Sequence, residues 1–111
     1  MQDYLIQISY TPEAVARLVK NPENREEVAR FLMEKLGGGK LKGFWVSFGE
    51  YDLVEIATLP DNVSAEALTM VLLAGGAVKM VRTTPLMSVN EGMEAMEKAA
   101  KLELEYRPPG K

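Results

Sequence analysis

Apolar and polar positions alternate from Asp3 to Tyr10. Tyr4, Ile6, Ile8 and Tyr10 fall on one side and Leu5, Gln7 and Ser9 on the other, which predicts a first strand. Thr11-Pro12-Glu13 ends it with a capping hydroxyl, a proline suited to the first helical position and an acid favoured by the helix dipole. The helix that follows carries Ala14, Val15, Leu18 and Val19 on one side. Asn21-Pro22-Glu23 repeats the start signal and predicts a break, after which Val28, Phe31, Leu32 and Leu36 form a second amphipathic stripe. Gly37-Gly38-Gly39 stops it.

Lys40–Phe48 and Tyr51–Leu59 read as two strands folded back about Gly49-Glu50, a two-residue turn of the Gly-X kind. That register sets Phe48 opposite Tyr51, Val46 opposite Leu53, Phe44 opposite Glu55 and Lys42 opposite Ala57 on one face. Ser47 with Asp52, Trp45 with Val54, Gly43 with Ile56 and Leu41 with Thr58 share the other. Both faces are largely apolar, although an antiparallel sheet covered by helices on one side should be polar on its other side.

After Pro60-Asp61-Asn62, Ser64-Ala65-Glu66 opens a helix with Leu68, Val71 and Leu72 inward, ended by Gly75-Gly76. Ala77–Met87 is a fourth strand, with Pro85 directing it to a sheet edge. Ser88 and Glu91 form a capping box for a last helix, whose stripe is Met93, Met96 and Ala100. Leu102, Leu104 and Tyr106 then alternate with Glu103 and Glu105, as an edge strand or a frayed helix end before a flexible tail.

The order is β-α-β-β-α-β plus a helix, a ferredoxin-like α+β sandwich with a four-stranded antiparallel sheet and helices on one face. Residues 1–101 make one domain and 102–111 an extension. The open, apolar face predicts a homodimer, the two sheets enclosing a cleft.

Composition narrows the chemistry. A net charge of -3 with scattered basic residues argues against a nucleic-acid surface. No apolar run reaches membrane-spanning length and the first residues lack a signal-peptide pattern, so no membrane partner and a cytoplasmic location are expected. The absence of histidine and cysteine removes the common N/S metal sites, haem ligation by those residues, Ser-His dyads and thiolate nucleophiles. Any chemistry falls to carboxylates, tyrosines, lysines, arginines, hydroxyls or a borrowed cofactor, and no particular cofactor is implied.

Gly49-Glu50-Tyr51-Asp52, the apolar Leu53-Val54 after it and the closing Pro60-Asp61 resemble the GYD-domain family. The proline-led helix ending in glycines and the later Gly76-Ala77-Val78 fit the same pattern. The resemblance spans about Asp3 to Val89 and implies a dimeric α+β barrel, with function left open. Thr58 and the run Lys79–Thr84 depart from the family's usual residues.

Gly37-Gly38-Gly39-Lys40 stands after a helix and before a strand, the reverse of a phosphate loop, so it reads as a helix end. Glu23, Glu26 and Glu27, and Glu91, Glu94 and Glu97, read as solvated helix faces rather than a metal site. Methionines at core spacing read as filler. Gln7, Phe44, Phe48, Tyr51, Glu55 and Arg82 are the candidate cleft residues for a small organic ligand, provided the strands bring them to one face. A structural ion pair or dimer-interface network of Gln7, Glu55 and Arg82 is the competing reading. Gly49, Tyr51 and Asp52 form a structural motif, with Asp52 holding the turn.

Three functional expectations follow. The first is a ligand-binding or assembly module. The second is a cofactor-independent oxygenase or isomerase acting on a small aromatic or keto compound, with Tyr51, Glu55 and Arg82 as acid, base and oxyanion partner. Regulation through the alternating tail, Leu102 to Tyr106, is a third.

Overall fold

The computed structural model describes Met1–Lys111. Four strands, β1 (Gln2–Tyr10), β2 (Lys40–Val46), β3 (Leu53–Leu59) and β4 (Val78–Leu86), form one antiparallel sheet in the order β2-β3-β1-β4. The helices are α1 (Pro12–Lys20), α2 (Arg25–Lys35), α3 (Asn62–Ala74) and α4 (Val89–Glu103). This is the ferredoxin-like arrangement with an extra C-terminal helix.

Local signals set the helix starts. The Thr11 hydroxyl accepts from the Ala14 amide, the Asn24 side chain from the Glu26 amide, and Asp61 from the Ser64 amide. Asp61 thus caps α3 ahead of the expected Ser64 start. Gly37 takes φ +67° against the Pro60 ring, a conformation and a closeness that exclude a side chain. Gly39 sits as tightly between Leu59 and the carbonyls of Met33 and Thr58, so the α2–β2 turn is pressed onto the end of β3.

Sheet register decides which face is core. Ile6 stands opposite Glu55 in β3 and Thr83 in β4, whereas Gln7 stands opposite Val54 and Arg82. Directly opposed residues share a face. Tyr4, Ile6, Ile8, Leu41, Leu53, Ala57, Leu59 and Val78 therefore pack under Ala29 and Met33 of α2 and Ala65 and Leu68 of α3. Leu5, Gln7, Trp45, Val54, Ile56, Met80 and Arg82 lie on the open face. Both helix stripes differ in detail from expectation. In α2 the core takes Ala29 and Met33 while Phe31 stays exposed under the Lys35 ammonium, 5.4 Å from its ring, and in α3 Val71 is exposed.

The hairpin register holds at Val46–Leu53, Trp45–Val54, Phe44–Glu55 and Gly43–Ile56, then slips at Lys42, so that Leu41 meets Ala57 instead of Thr58. Trp45 lies across Gly43 on the open face, where any Cβ on that glycine would run into the ring. The expected two-residue turn is replaced by the longer loop Ser47–Asp52. The tail forms no edge strand, since the chain stays helical to Glu103 and then turns.

Candidate functional site

An open cleft of about 500 Å³ lies between α1, the Asn21–Asn24 link and the ends of β1, β2 and β3. Its size is that of small-molecule sites. Because only Ala14 of α1 is buried, the rest of that helix's apolar stripe (Val15, Leu18 and Val19) is free to line the cleft, facing Phe44, Val46 and Leu53. Pro22 and the Asn24 cap start α2 at Arg25, which places a guanidinium in the cleft. Below lies a narrow recess of about 40 Å³, bounded by the same Tyr10, Arg25, Phe44 and Leu53 and floored by core residues and Glu55.

Glu55 is the chemical anomaly. It is 2% exposed on the core side of the central strand β3, and no protein group donates a hydrogen bond to its carboxylate. Burial pushes its pKa up to about 7, which leaves the carboxyl able to give or take a proton near neutrality. Burial also raises the Tyr10 phenol. The Arg25 guanidinium beside it pulls it back, and the Asp52 and Glu55 carboxylates push it up again. Tyr10 is therefore a hydrogen-bond donor at neutral pH. Arg25 is bound to Glu23 at 2.9 Å in an exposed pair, which leaves the rest of its donor fork available.

Asp52 closes the site from the loop. Its carboxylate accepts from the Tyr10 amide at 2.7 Å, and its own amide donates to the Ile8 carbonyl at 2.8 Å. The Ser9 hydroxyl donates to the Glu50 carbonyl at 3.0 Å, and the Ser47 amide to the Asp52 carbonyl at 2.8 Å. The loop is thus tied to the end of β1, at the point where the β1–β4 register shifts between Ser9 and Tyr10. Tyr51 is buried in the same loop, and its hydroxyl has no hydrogen-bond partner.

The six residues expected to share a cleft do not meet within the chain. Phe44 and Glu55 come together, on the helix-covered face rather than the open one. Gln7 and Arg82 oppose each other on the open face, so Glu55 and Arg82 lie on opposite sides of the sheet and form no pair. Phe48, wholly exposed on the loop, belongs to neither cavity. Tyr51 also lines neither. The Tyr-Glu-Arg combination nevertheless recurs, with Tyr10 and Arg25 in the places expected for Tyr51 and Arg82.

Two signals for these missed residues were present. Arg25 is a cation at a helix start amid Glu23, Glu26 and Glu27, where the dipole disfavours positive charge. Tyr10 is the polar end of the row Tyr4-Ile6-Ile8-Tyr10. No group of three acidic side chains comes close enough to hold a cation, and no helix is long and apolar enough to cross a membrane. A family profile described as GYD domain matches residues 4–96. No curated protein matches the chain.

Proposed function

The chain belongs to the GYD-domain family, and on that premise we propose that its cleft binds a small organic molecule with an apolar body and an anionic or carbonyl end. The observation that carries this reading is the unpaired, buried Glu55 at the floor of an apolar opening that also holds Arg25 and Tyr10. A buried carboxyl without a partner costs stability, and such costs are retained where a ligand uses the group. Val15, Leu18, Val19 and Phe44 offer the apolar walls, Arg25 the cation and Tyr10 the phenolic donor.

A thermal-shift screen of small aromatic and keto acids tests it. Binders are expected to raise Tm, and Arg25→Ala is expected to weaken them at least tenfold (about 1.4 kcal/mol) while changing stability little, since its ion pair is exposed. Binding indifferent to both Arg25→Ala and Glu55→Gln removes the cleft from consideration.

The position of Glu55 near its titration midpoint favours a second reading, proton transfer on a keto compound. Its carboxylate takes a proton from the carbon beside the carbonyl. Where the keto compound carries a β,γ double bond, the product is a dienolate whose oxygen Arg25 and Tyr10 hold. Glu55 returns the proton to its γ carbon as the double bond shifts into conjugation, which is an isomerisation. Glu55→Gln that binds a hit yet turns it over at the wild-type rate ends this version.

For the assembly, the reading is a homodimer through the open sheet face. Leu5, Trp45, Val54, Ile56 and Met80 make that face apolar, with Trp45 54% exposed, and Gln7 and Arg82 supply polar contacts. This supports a second sheet as cover. In light scattering, Trp45→Glu is expected to halve the mass of the particle. Phe44 faces the cleft, so Phe44→Glu is expected to damage the cleft and core instead. A Trp45→Glu particle of unchanged mass rules out the open-face interface.

A further inference from the structure

α4 is a helix that the fold does not use. Its start is secured by the Ser88–Glu91 capping box, with both reciprocal hydrogen bonds at 3.1 Å. None of its residues is buried, and all but Gly92 are exposed. The molecule measures 59 × 35 × 22 Å with a radius of gyration of 17.8 Å, against about 13 Å for a compact chain of this length. α4 leaves the edge strand β4 through Met87 and Ser88 alone and stands off the body as an arm. A solitary helix of this length is marginal in water, so its order calls for a packing partner.

The face that needs covering is plain. Val89, Met93, Met96 and Ala100 recur at i, i+4, i+7 and i+11, while Glu94, Lys98 and Lys101 occupy the opposite side. α3 carries the matching stripe. Ala65, Leu68 and Leu72 face the sheet, and on the reverse side Val63, Ala67, Met70 and Ala74 repeat the same four-position spacing. Met70 is 61% exposed and Met96 70%. Glu66 is the only charged residue of α3, an unusual composition for a helix whose outer face meets water.

We propose that α4 is an exchange arm that docks through Val89, Met93, Met96 and Ala100 onto the Val63-Ala67-Met70-Ala74 stripe of α3 in a second copy of the chain. A second copy is the partner because one chain holds both stripes vacant, and a two-fold exchange covers all of them at once in a closed assembly. Alanines at Ala67, Ala74 and Ala100 leave room for the methionines across from them. This goes beyond the cleft and does not rest on it. The α3 stripe is on the outer side of the helix layer, away from the open sheet face, so substitutions at Trp45 and at Met96 act on separate interfaces.

The chain has no cysteine, which makes disulfide trapping clean. Met70 and Met96 are near the middles of their stripes, so they meet whichever way the two helices run. Full-length Met70→Cys and Met96→Cys proteins, mixed, exchanged and oxidised, are expected to give the mixed disulfide at least tenfold over either like-with-like product. Met70→Cys mixed with Lys98→Cys is expected to give none above background. Met93→Lys with Met96→Lys, both exposed positions, is expected to keep the circular dichroism of the fold and weaken this association at least tenfold. A disulfide formed only within one chain in the Met70→Cys, Met96→Cys double variant overturns the proposal. So does trapping no greater than with Lys98→Cys.

Discussion

Glu55→Gln is expected to stabilise the protein by roughly 3 kcal/mol at pH 8 and to change its stability little near pH 4. A carboxyl held at about 7 when folded, against an ordinary value of 4.5, corresponds to that difference. The folded state binds this proton more tightly than the unfolded chain does. Its stabilisation is therefore complete below about pH 4.5, declines as pH rises toward 7 and is lost above it. Glutamine keeps the shape of the protonated side chain without the ionisation, so the decline should vanish from urea titrations between pH 5 and pH 8.

Asp3 and Asp61 do not confuse that window. The Thr58 hydroxyl and then Lys42 hold the Asp3 carboxyl below its usual range, and the Ser64 amide does the same for Asp61. Depressed carboxylates lose their stabilising effect as pH falls below their ordinary values, in the opposite direction and at more acid pH. Wild-type stability that is flat from pH 5 to 8 would mean that Glu55 is not the unpaired, desolvated group described above.

The fate of Glu55 shows what a sequence carries and where it stops. Its partner in the hairpin, Phe44, follows from strand alternation and the glycine turn, both local properties, and that pairing is present. The inward face of the hairpin is a different kind of fact. Phe44, Glu55 and Ala57 on one side compete with Trp45, Val54 and Ile56 on the other, and neither row is plainly more apolar. The choice is made by β1, which sets Ile6 against Glu55 and Gln7 against Val54. That register belongs to residues some fifty positions apart, and periodicity within a strand does not encode it. Once β1 chooses, Glu55 goes under the helices and Arg82 goes to the opposite face. The nearest tyrosine and arginine then become Tyr10 and Arg25, from the end of another strand and the start of a helix.

The loop departs from expectation for a related reason. A two-residue Gly-X turn would satisfy the hairpin by itself, but it would leave the Tyr10 amide without the Asp52 carboxylate and the Ile8 carbonyl without the Asp52 amide. Buried backbone groups seek partners throughout a fold, and here the need of β1 outweighs the local preference of β2 and β3. The same competition accounts for Phe48, which hairpin pairing would place beside Tyr51 and which the longer loop turns out to solvent.

This makes Asp52 the residue of the Gly-Tyr-Asp region on which the site most depends. Asp52→Ala is expected to cost about 2 kcal/mol, the loss of a charged acceptor together with an amide at Tyr10 left unpaired. Asp52→Asn keeps an acceptor in place and is expected to cost about half as much. Urea unfolding gives both figures, and hydrogen exchange locates the change, since the Tyr10 amide should lose protection in Asp52→Ala while the Ile6 amide in the middle of β1 keeps it. The effect should reach the cleft as well. Tyr10 and Asp52 both line it, and a β1 end freed from its tie no longer holds the phenol beside Arg25. Any cleft binder is then expected to weaken in Asp52→Ala by more than in Asp52→Asn, under conditions where both variants are fully folded. Equal binding by the two would leave Asp52 a strut for the loop alone, and would separate the stability of the Gly-Tyr-Asp loop from the chemistry beneath it.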